Sequence, residues 1–286
     1  MKILESTLST KYRPQEFSDV RGSEMTKEIL KGIVKNKSYT LINSMVVSGT
    51  SGGGKTTLMR IFAKAVNCLG ENHKPCNECL HCKQFDAKEY QDYMEIDAAS
   101  FSGKADITPL INLSNLKPKK GSTRVLLLDE AHSLSKEAND VLLKTLEDAK
   151  TSTIWIFATT ELNKLRPALI GRSTNLKVQP LSQQDIKLEL DRIIELEGIK
   201  VTSDFTSEIA RVFRGKMRDS IGELDKYYKA FGKDLTRIKI EIESDEDKVL
   251  SIFLEALENN LSSANVDIDR SDVLYGDINR AITNIM

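Results

Sequence analysis

The chain has 286 residues, 40% apolar and 29% charged, with a formal net charge of −1. That length predicts two or three domains and an ordinary soluble globular class. No apolar run is long enough to span a bilayer, and residues 1–10 lack the pattern of a secretory signal, so no membrane role and a cytoplasmic setting with reduced thiols are expected.

Charge is unevenly spread. Residues 241–286 hold 11 acidic and 3 basic side chains, leaving 31 acidic and 38 basic in residues 1–240. A mildly basic body is compatible with a polyanionic partner that the acidic tail would repel, although solvated faces would give the same counts.

The chain opens with Lys11-Tyr12-Arg13-Pro14-Gln15-Glu16-Phe17-Ser18-Asp19-Val20, a proline-marked entry segment. The run Met45-Val46-Val47-Ser48 predicts a strand, and Leu58 to Ala65 predicts a helix. Between them lies Gly49-Thr50-Ser51-Gly52-Gly53-Gly54-Lys55-Thr56-Thr57, which fits the phosphate loop G-x-x-x-x-G-K-[ST]. Glycines let main-chain amides wrap phosphates, and the helix start adds a favourable dipole. Lys55 is expected to reach the β- and γ-phosphates of a bound nucleotide, and the Thr56 hydroxyl a Mg²⁺ ion.

All four cysteines follow within 15 residues, as Cys68, Cys76, Cys79 and Cys82, spaced C-x7-C-x2-C-x2-C. Reduced cysteines grouped in this way predict metal ligation over disulfides. Four thiolates satisfy a tetrahedral Zn²⁺ with no open position, the pattern of a structural site. An iron–sulfur cluster is the competitor, but no further cysteine and proline follow Cys82 in ferredoxin fashion. His73 and His81 lie close by and could substitute as ligands, but with four thiols available they are read as bystanders.

Strands are predicted at Tyr93–Asp97, Arg124–Leu128 and Thr153–Ala158, with a helix from Glu137 to Asp148 carrying Val141, Leu142, Thr145 and Leu146 on one side. Alternating strands and helices indicate a parallel α/β sheet. The apolar run Arg124–Leu128 suits a central strand and ends in Asp129-Glu130, at the strand end where ligand chemistry belongs. There Asp129 can orient the Mg²⁺ shell and Glu130 can polarise the water attacking the γ-phosphate.

Over residues 8–231 these motifs resemble, in order and spacing, the AAA+ clamp-loader family and its bacterial gamma/tau subunits. The resemblance implies an AAA+ core at 1–179 with a parallel five-stranded sheet and a zinc insertion at 68–82. A small helical lid at 180–240 and a short helical collar-like segment at 241–286 would follow. Lys11–Val20 is similar to the family segment that lies against adenine and ribose, which implicates Tyr12, Arg13, Pro14 and Val20. Phe157-Ala158-Thr159-Thr160 resembles the sensor-1 segment, with Thr160 reading the γ-phosphate or the attacking water. Ile170-Gly171-Arg172-Ser173 resembles the S-R-C motif, whose arginine completes a neighbouring subunit's site; here the arginine is kept and its flanks differ. Arg214-Gly215-Lys216-Met217-Arg218-Asp219-Ser220 resembles sensor 2, with Arg218 reaching the γ-phosphate from the lid. The four-cysteine insertion is likewise a gamma/tau hallmark. The segment from Asp97 to Thr108 resembles one that leads into a DNA-facing helix, which implicates Ser100, Lys104 and Thr108. The family resemblance further implies ATP, Mg²⁺ and Zn²⁺ as cofactors. The implied partners are a sliding clamp, primer–template DNA and other loader subunits in a pentameric ring.

The cluster Lys117, Lys119, Lys120 and Arg124 is read as a solvated loop ahead of a strand, not as a DNA patch. After Ile242 the chain is shorter than the family's collar, with amphipathic patterns at 247–261 and 273–285. Another AAA+ DNA-remodelling ATPase and a non-catalytic loader scaffold are the alternative functions. The presence of Lys55, Thr56, Asp129, Glu130, Thr160, Arg172 and Arg218 together argues against the scaffold.

Overall fold

The computed structural model describes residues 7–70, 74–101, 103–147 and 152–238. Strands β1 (Ser44–Ser48), β2 (Tyr93–Asp97), β3 (Arg124–Asp129), β4 (Thr153–Thr159) and β5 (Thr174–Lys177) form one parallel sheet in the order β2-β3-β4-β1-β5. The helices are α1 (Leu8–Lys11), α2 (Glu24–Lys35), α3 (Lys55–Val66), α4 (Leu80–Asp86), α5 (Lys104–Ser114), α6 (Lys136–Glu147) and α7 (Pro167–Arg172), followed by α8 (Gln183–Glu197), α9 (Phe205–Val212) and α10 (Met217–Phe231).

The three central strands are apolar along their middles because helices cover both faces. Alternate residues point to opposite sides. Val47, Leu127 and Ile156 pack on Leu30 of α2 and on Leu58 and Phe62 of α3. Val46, Leu126 and Phe157 pack on Ile107 of α5 and Leu142 of α6. Burying each such side chain contributes about 1.5–3 kcal/mol. Strand β5 was not anticipated as a local element. It lies at the sheet edge and buries only Leu176 of its four residues, so it carries almost no apolar pattern.

A separate core joins α8, α9 and α10 through Leu190, Ile193, Ile209 and Leu224. Ser182 and Asp185 form a capping box that starts α8, and Gly198, at φ +64°, ends it in the left-handed conformation. Leu8 of α1 is buried in the same core, and its amide donates to Asp225 Oδ1 at 3.4 Å. The first described helix is therefore packed with the last three, and the segment from Tyr12 to Val20 crosses from them to the sheet. Asp148 and residues 241–286, with the helices expected at 247–261 and 273–285, lie outside the described residues. Among the described residues no helix is long and apolar enough to cross a membrane.

Candidate functional site: a nucleotide cleft and a four-cysteine cluster

The phosphate loop starts where β1 ends. Gly49, Gly52 and Gly54 hold φ values of +156°, +68° and +97°, conformations that disfavour side chains. At Gly49 space forbids one as well, because a Cβ would lie 2.5 Å from the Val178 carbonyl oxygen. Helix α3 begins at Lys55, so the first amides of the helix face the loop without intrahelical partners. The Lys55 ammonium, buried to 4% exposure, donates to the carbonyl oxygens of Gly49 and Thr50, both at 3.0 Å. Burial pushes its pKa below the ordinary lysine value, partly offset by the nearby Glu130 and Asp129.

The carboxyl end of β3 supplies the acids. Thr56 Oγ1 donates to Asp129 Oδ2 at 2.8 Å, so the two expected Mg²⁺ ligands already touch. Glu130 turns the chain in a left-handed conformation, φ +48°, unusual for a side chain of this kind. Thr160, just beyond β4, donates its hydroxyl to Glu130 Oε2 at 3.1 Å. His132, which sequence analysis did not single out, brings Nδ1 to 3.1 Å from Thr159 Oγ1 and 3.4 Å from Glu130 Oε2.

The cleft is closed by two further elements. Tyr12, Arg13, Pro14 and Val20 line it, with Ser51 to Thr57, Asp129 and Glu130, and with Arg218 of α10. Gly52 lies close under α10, where its Cβ would sit 3.6 Å from Arg218 Cβ. Tyr12 Oη donates to Glu197 Oε1 of α8 at 2.7 Å, and the Arg192 guanidinium stacks 5.6 Å over the Tyr12 ring. Burial lowers the Arg13 pKa, and the neighbouring Arg60 lowers it further. Sequence analysis missed Arg21, Leu181, Glu189, Met217 and Ile221 of this lining. Met217 and Ile221 look like ordinary helix positions, and Leu181 is one apolar residue in the loop before α8, so nothing local marks them.

Arg172 stands elsewhere. Its carbonyl accepts from Ser44 Oγ at 3.3 Å, beside the first residue of β1, whereas the phosphate loop follows the last residue. A five-residue strand separates the two by about 13 Å. Arg172 instead donates to Glu147 Oε1 at 2.6 Å on the surface. Ser100, Lys104 and Thr108 also lie outside the cleft lining, on the turn after β2 and the first turns of α5. Ser100 Oγ donates to Asp97 O and Thr108 Oγ1 to Lys104 O, each at 2.7 Å.

The basic cluster is not a uniformly solvated loop. Arg124 is 1% exposed and donates to Asp92, to Leu113 O and to Lys117 O, while Asp92 accepts the amides of Lys119, Lys120 and Gly121. A side chain counted there as surface charge is therefore a buried structural ion.

The sulfur atoms of Cys68, Cys76, Cys79 and Cys82 all lie within 4.8 Å of one another. The Cys82–Cys68 and Cys76–Cys82 separations are 3.8 and 4.0 Å. Metal–sulfur bonds of about 2.3 Å in a tetrahedron give edges of about 3.8 Å, so the four thiols fit one metal ion. Amides of Gly70 and Cys76 donate to Cys68 Sγ at 3.3 Å, and that of Cys79 to Cys76 Sγ at 3.3 Å. Such donors favour thiolates, and the Cys76 thiol falls to about 6, chiefly through the Glu78 and Cys79 amides. Burial raises Cys82 instead. His81 Nδ1 lies 2.8 Å from Asn67 O, outside the thiol cluster, and His73 lies outside the described residues.

A parallel sheet in this order, a glycine-rich loop after β1, acids after β3 and a helical lid over the cleft define an AAA+ P-loop nucleoside-triphosphatase fold. The solved RuvB Holliday junction branch migration motor of Thermotoga maritima shares it, with a TM-score of 0.61, 19% identity, and coverage of 86% of this chain and 80% of that one. The sequence family described as DNA polymerase III, delta subunit, matches residues 22–182. The chain belongs to this family of DNA polymerase III subunits. It is 37% identical to the gamma/tau subunit of Mycoplasma pneumoniae over 224 residues, 78% of this chain and 32% of that protein. It is 34% identical to the tau subunit of Bacillus subtilis, over 80% of this chain and 40% of that protein. With the gamma subunit of Buchnera aphidicola subsp. Baizongia pistaciae, identity is 30% over 90% of this chain and 70% of that protein. The chain thus spans 32% to 40% of the length of the first curated relatives it matches.

Proposed function

We propose that this chain is an ATP-hydrolysing subunit of a loader that opens a sliding clamp and places it on primer–template DNA. The observation that carries the proposal is the division of one active site between two places. The cleft is lined by Lys55, Thr56, Asp129, Glu130 and Arg218, with Thr160 hydrogen-bonded to Glu130 beside it, while Arg172 sits at the opposite end of β1, a position suited to a neighbouring subunit's nucleotide.

In the proposed reaction Lys55 exchanges the Gly49 and Thr50 carbonyls for the β- and γ-phosphate oxygens of ATP. Thr56 and Asp129 would hold Mg²⁺, which would supply positive charge to offset that of the phosphates. Glu130 accepts hydrogen-bond donation from the attacking water, with Thr160 fixing its carboxylate, and Arg218 steadies the γ-phosphate from the lid. Arg172, released from Glu147, stabilises the transferring phosphoryl group of the next subunit. Tyr12, Arg13, Pro14 and Val20 wall the base and ribose side.

Cys68, Cys76, Cys79 and Cys82 would hold one structural Zn²⁺, an ion suited to four thiolates. Ser100, Lys104, Thr108 and the start of α5 contact DNA phosphates, so binding follows duplex shape and weakens with salt. The assembly is a cytoplasmic, ring-like pentamer with other loader subunits.

The test is steady-state ATP hydrolysis by the full chain with its co-encoded subunits, with and without primed DNA and the cognate clamp. Stimulation by DNA and clamp together, abolished by Lys55→Ala, is expected. Hydrolysis indifferent to the clamp in the assembled complex would sink the loader assignment and favour another AAA+ remodelling activity.

A further inference from the structure

The four-cysteine cluster and the nucleotide cleft are joined by side chains that neither role accounts for. Helix α3 carries the phosphate loop at its first residue and runs into Cys68, whose amide donates to Ala65 O at 3.2 Å. Lys64, on the same helix and 3% exposed, donates to both carboxylate oxygens of Asp86, at 2.6 and 2.8 Å. Asp86 is the last residue of α4, the helix that begins at Leu80 just after Cys79 and contains Cys82. Lys64 also reaches Gln15 Oε1 at 3.4 Å. Leaving a buried ammonium without partners is costly, so Lys64 ties α3 to α4 through Asp86 and to the cleft-wall segment through Gln15.

A second link runs through Asn77 and Glu16. Asn77, directly after the ligand Cys76 in the chain, adopts φ +61°, and its side-chain amide donates to Glu16 Oε1 at 3.3 Å. Lys74, from the same loop, donates to Glu16 Oε2 at 3.1 Å. Glu16 belongs to the segment that supplies Tyr12, Arg13, Pro14 and Val20 to the cleft wall, and Asp19 accepts the amides of Gln15 and Glu16 at 3.1 and 3.0 Å. One residue, Asn77, therefore adjoins the ligand Cys76 in the chain and touches the segment that walls the nucleotide.

We propose that the metal module is coupled to nucleotide binding, with Asn77, Glu16 and Lys64 as positioning residues that hold the Tyr12–Val20 wall in place when the thiolates are bound to metal. Metal loss releases the Asn77 loop and α4, the wall loses its Glu16 and Gln15 anchors, and nucleotide affinity falls. The coupling is reciprocal: bound nucleotide holds the wall and so tightens the metal site. The inference rests on the nucleotide site and thiolate cluster proposed above.

The test compares Mg²⁺–ATPγS affinity in metal-loaded and chelator-stripped full chain. It also measures Zn²⁺ affinity, by equilibrium competition with a chromogenic chelator, with and without ATPγS. Both ratios should equal the same coupling factor, at least about 5-fold. Asn77→Gly keeps the left-handed backbone and its amide but deletes the link to Glu16. It should retain one metal ion per chain while both factors shrink toward one. A metal affinity indifferent to ATPγS in a chain that binds ATPγS would overturn the proposal, as would an undiminished factor in Asn77→Gly. If the stripped chain unfolds, the competition measurement and the variant still decide. A metal-loaded chain that binds no ATPγS at all would instead overturn the nucleotide-site assignment beneath it.

Discussion

Thr160 donates its hydroxyl hydrogen to the Glu130 carboxylate across 3.1 Å, linking the residues that follow two adjacent strands. Glu130 stands in a left-handed turn and depends on such side-chain contacts for its orientation. Thr160→Ala should lower the single-turnover hydrolysis rate about 100-fold while leaving ATP affinity within about 2-fold, as loss of one preorganised donor does. Thr160→Ser should restore most of the rate. An affinity loss as large as the rate loss would place Thr160 in binding instead.

Arg172 lies beside Ser44, remote from the phosphate loop of its own chain. Arg172→Ala should therefore bind ATP normally and still fail to hydrolyse it in a homogeneous assembly, by a factor of about 10³ or more. Mixing it with Lys55→Ala subunits, which cannot use ATP but keep Arg172, should recover part of the activity. Absence of recovery, with mixed assemblies verified by native mass, would argue that the arginine does not act across an interface.

Asp92 and Arg124 form a buried ion pair with 3.2 Å between Oδ1 and Nη2. Burial alone would raise the Asp92 pKa, but the amides of Gly121, Lys120 and Lys119 together with Arg124 hold it below its ordinary value of 3.8. The folded value lies below the unfolded one, so this group's stabilisation is fully present above pH 3.8. It is lost as the pH falls below that point through the folded value. Asp92→Asn should cost about 3–5 kcal/mol in urea denaturation at neutral pH, since it leaves Arg124 buried without its counter-charge. The variant should also lose part of the acid-side decline in stability.

Gly49 and Gly54 both hold positive φ, but only Gly49 is confined by a neighbour, the Val178 carbonyl. Gly49→Ala should destabilise the fold by about 1–3 kcal/mol through overpacking, and should abolish nucleotide binding by moving the loop. Gly54→Ala meets nothing within 4 Å, so only backbone strain of about 1–2 kcal/mol applies. Thermal melts and ATP titrations of the two variants would separate the causes.

Much of the site was legible because its chemistry is carried by contiguous residues. The phosphate loop, the Asp129-Glu130 strand end and the cysteine spacing are local patterns, and β1, β3 and β4 announce themselves as apolar runs buried on both faces. Strand β5 and the wall residues Leu181, Met217 and Ile221 were not legible, because an edge strand and an amphipathic helix use the same residues whether or not they line a cleft.

By itself the sequence determined which groups can bind phosphate, polarise water and ligate metal, since those capacities reside in side-chain type and short-range spacing. Only the tertiary structure decided who their partners are. It set Tyr12 against Glu197, Arg124 inside the fold against Asp92, Arg172 at the far end of β1, and Asn77 against Glu16. These contacts join residues far apart in the chain, and chain folding alone sets the distances that electrostatics and hydrogen bonding depend on.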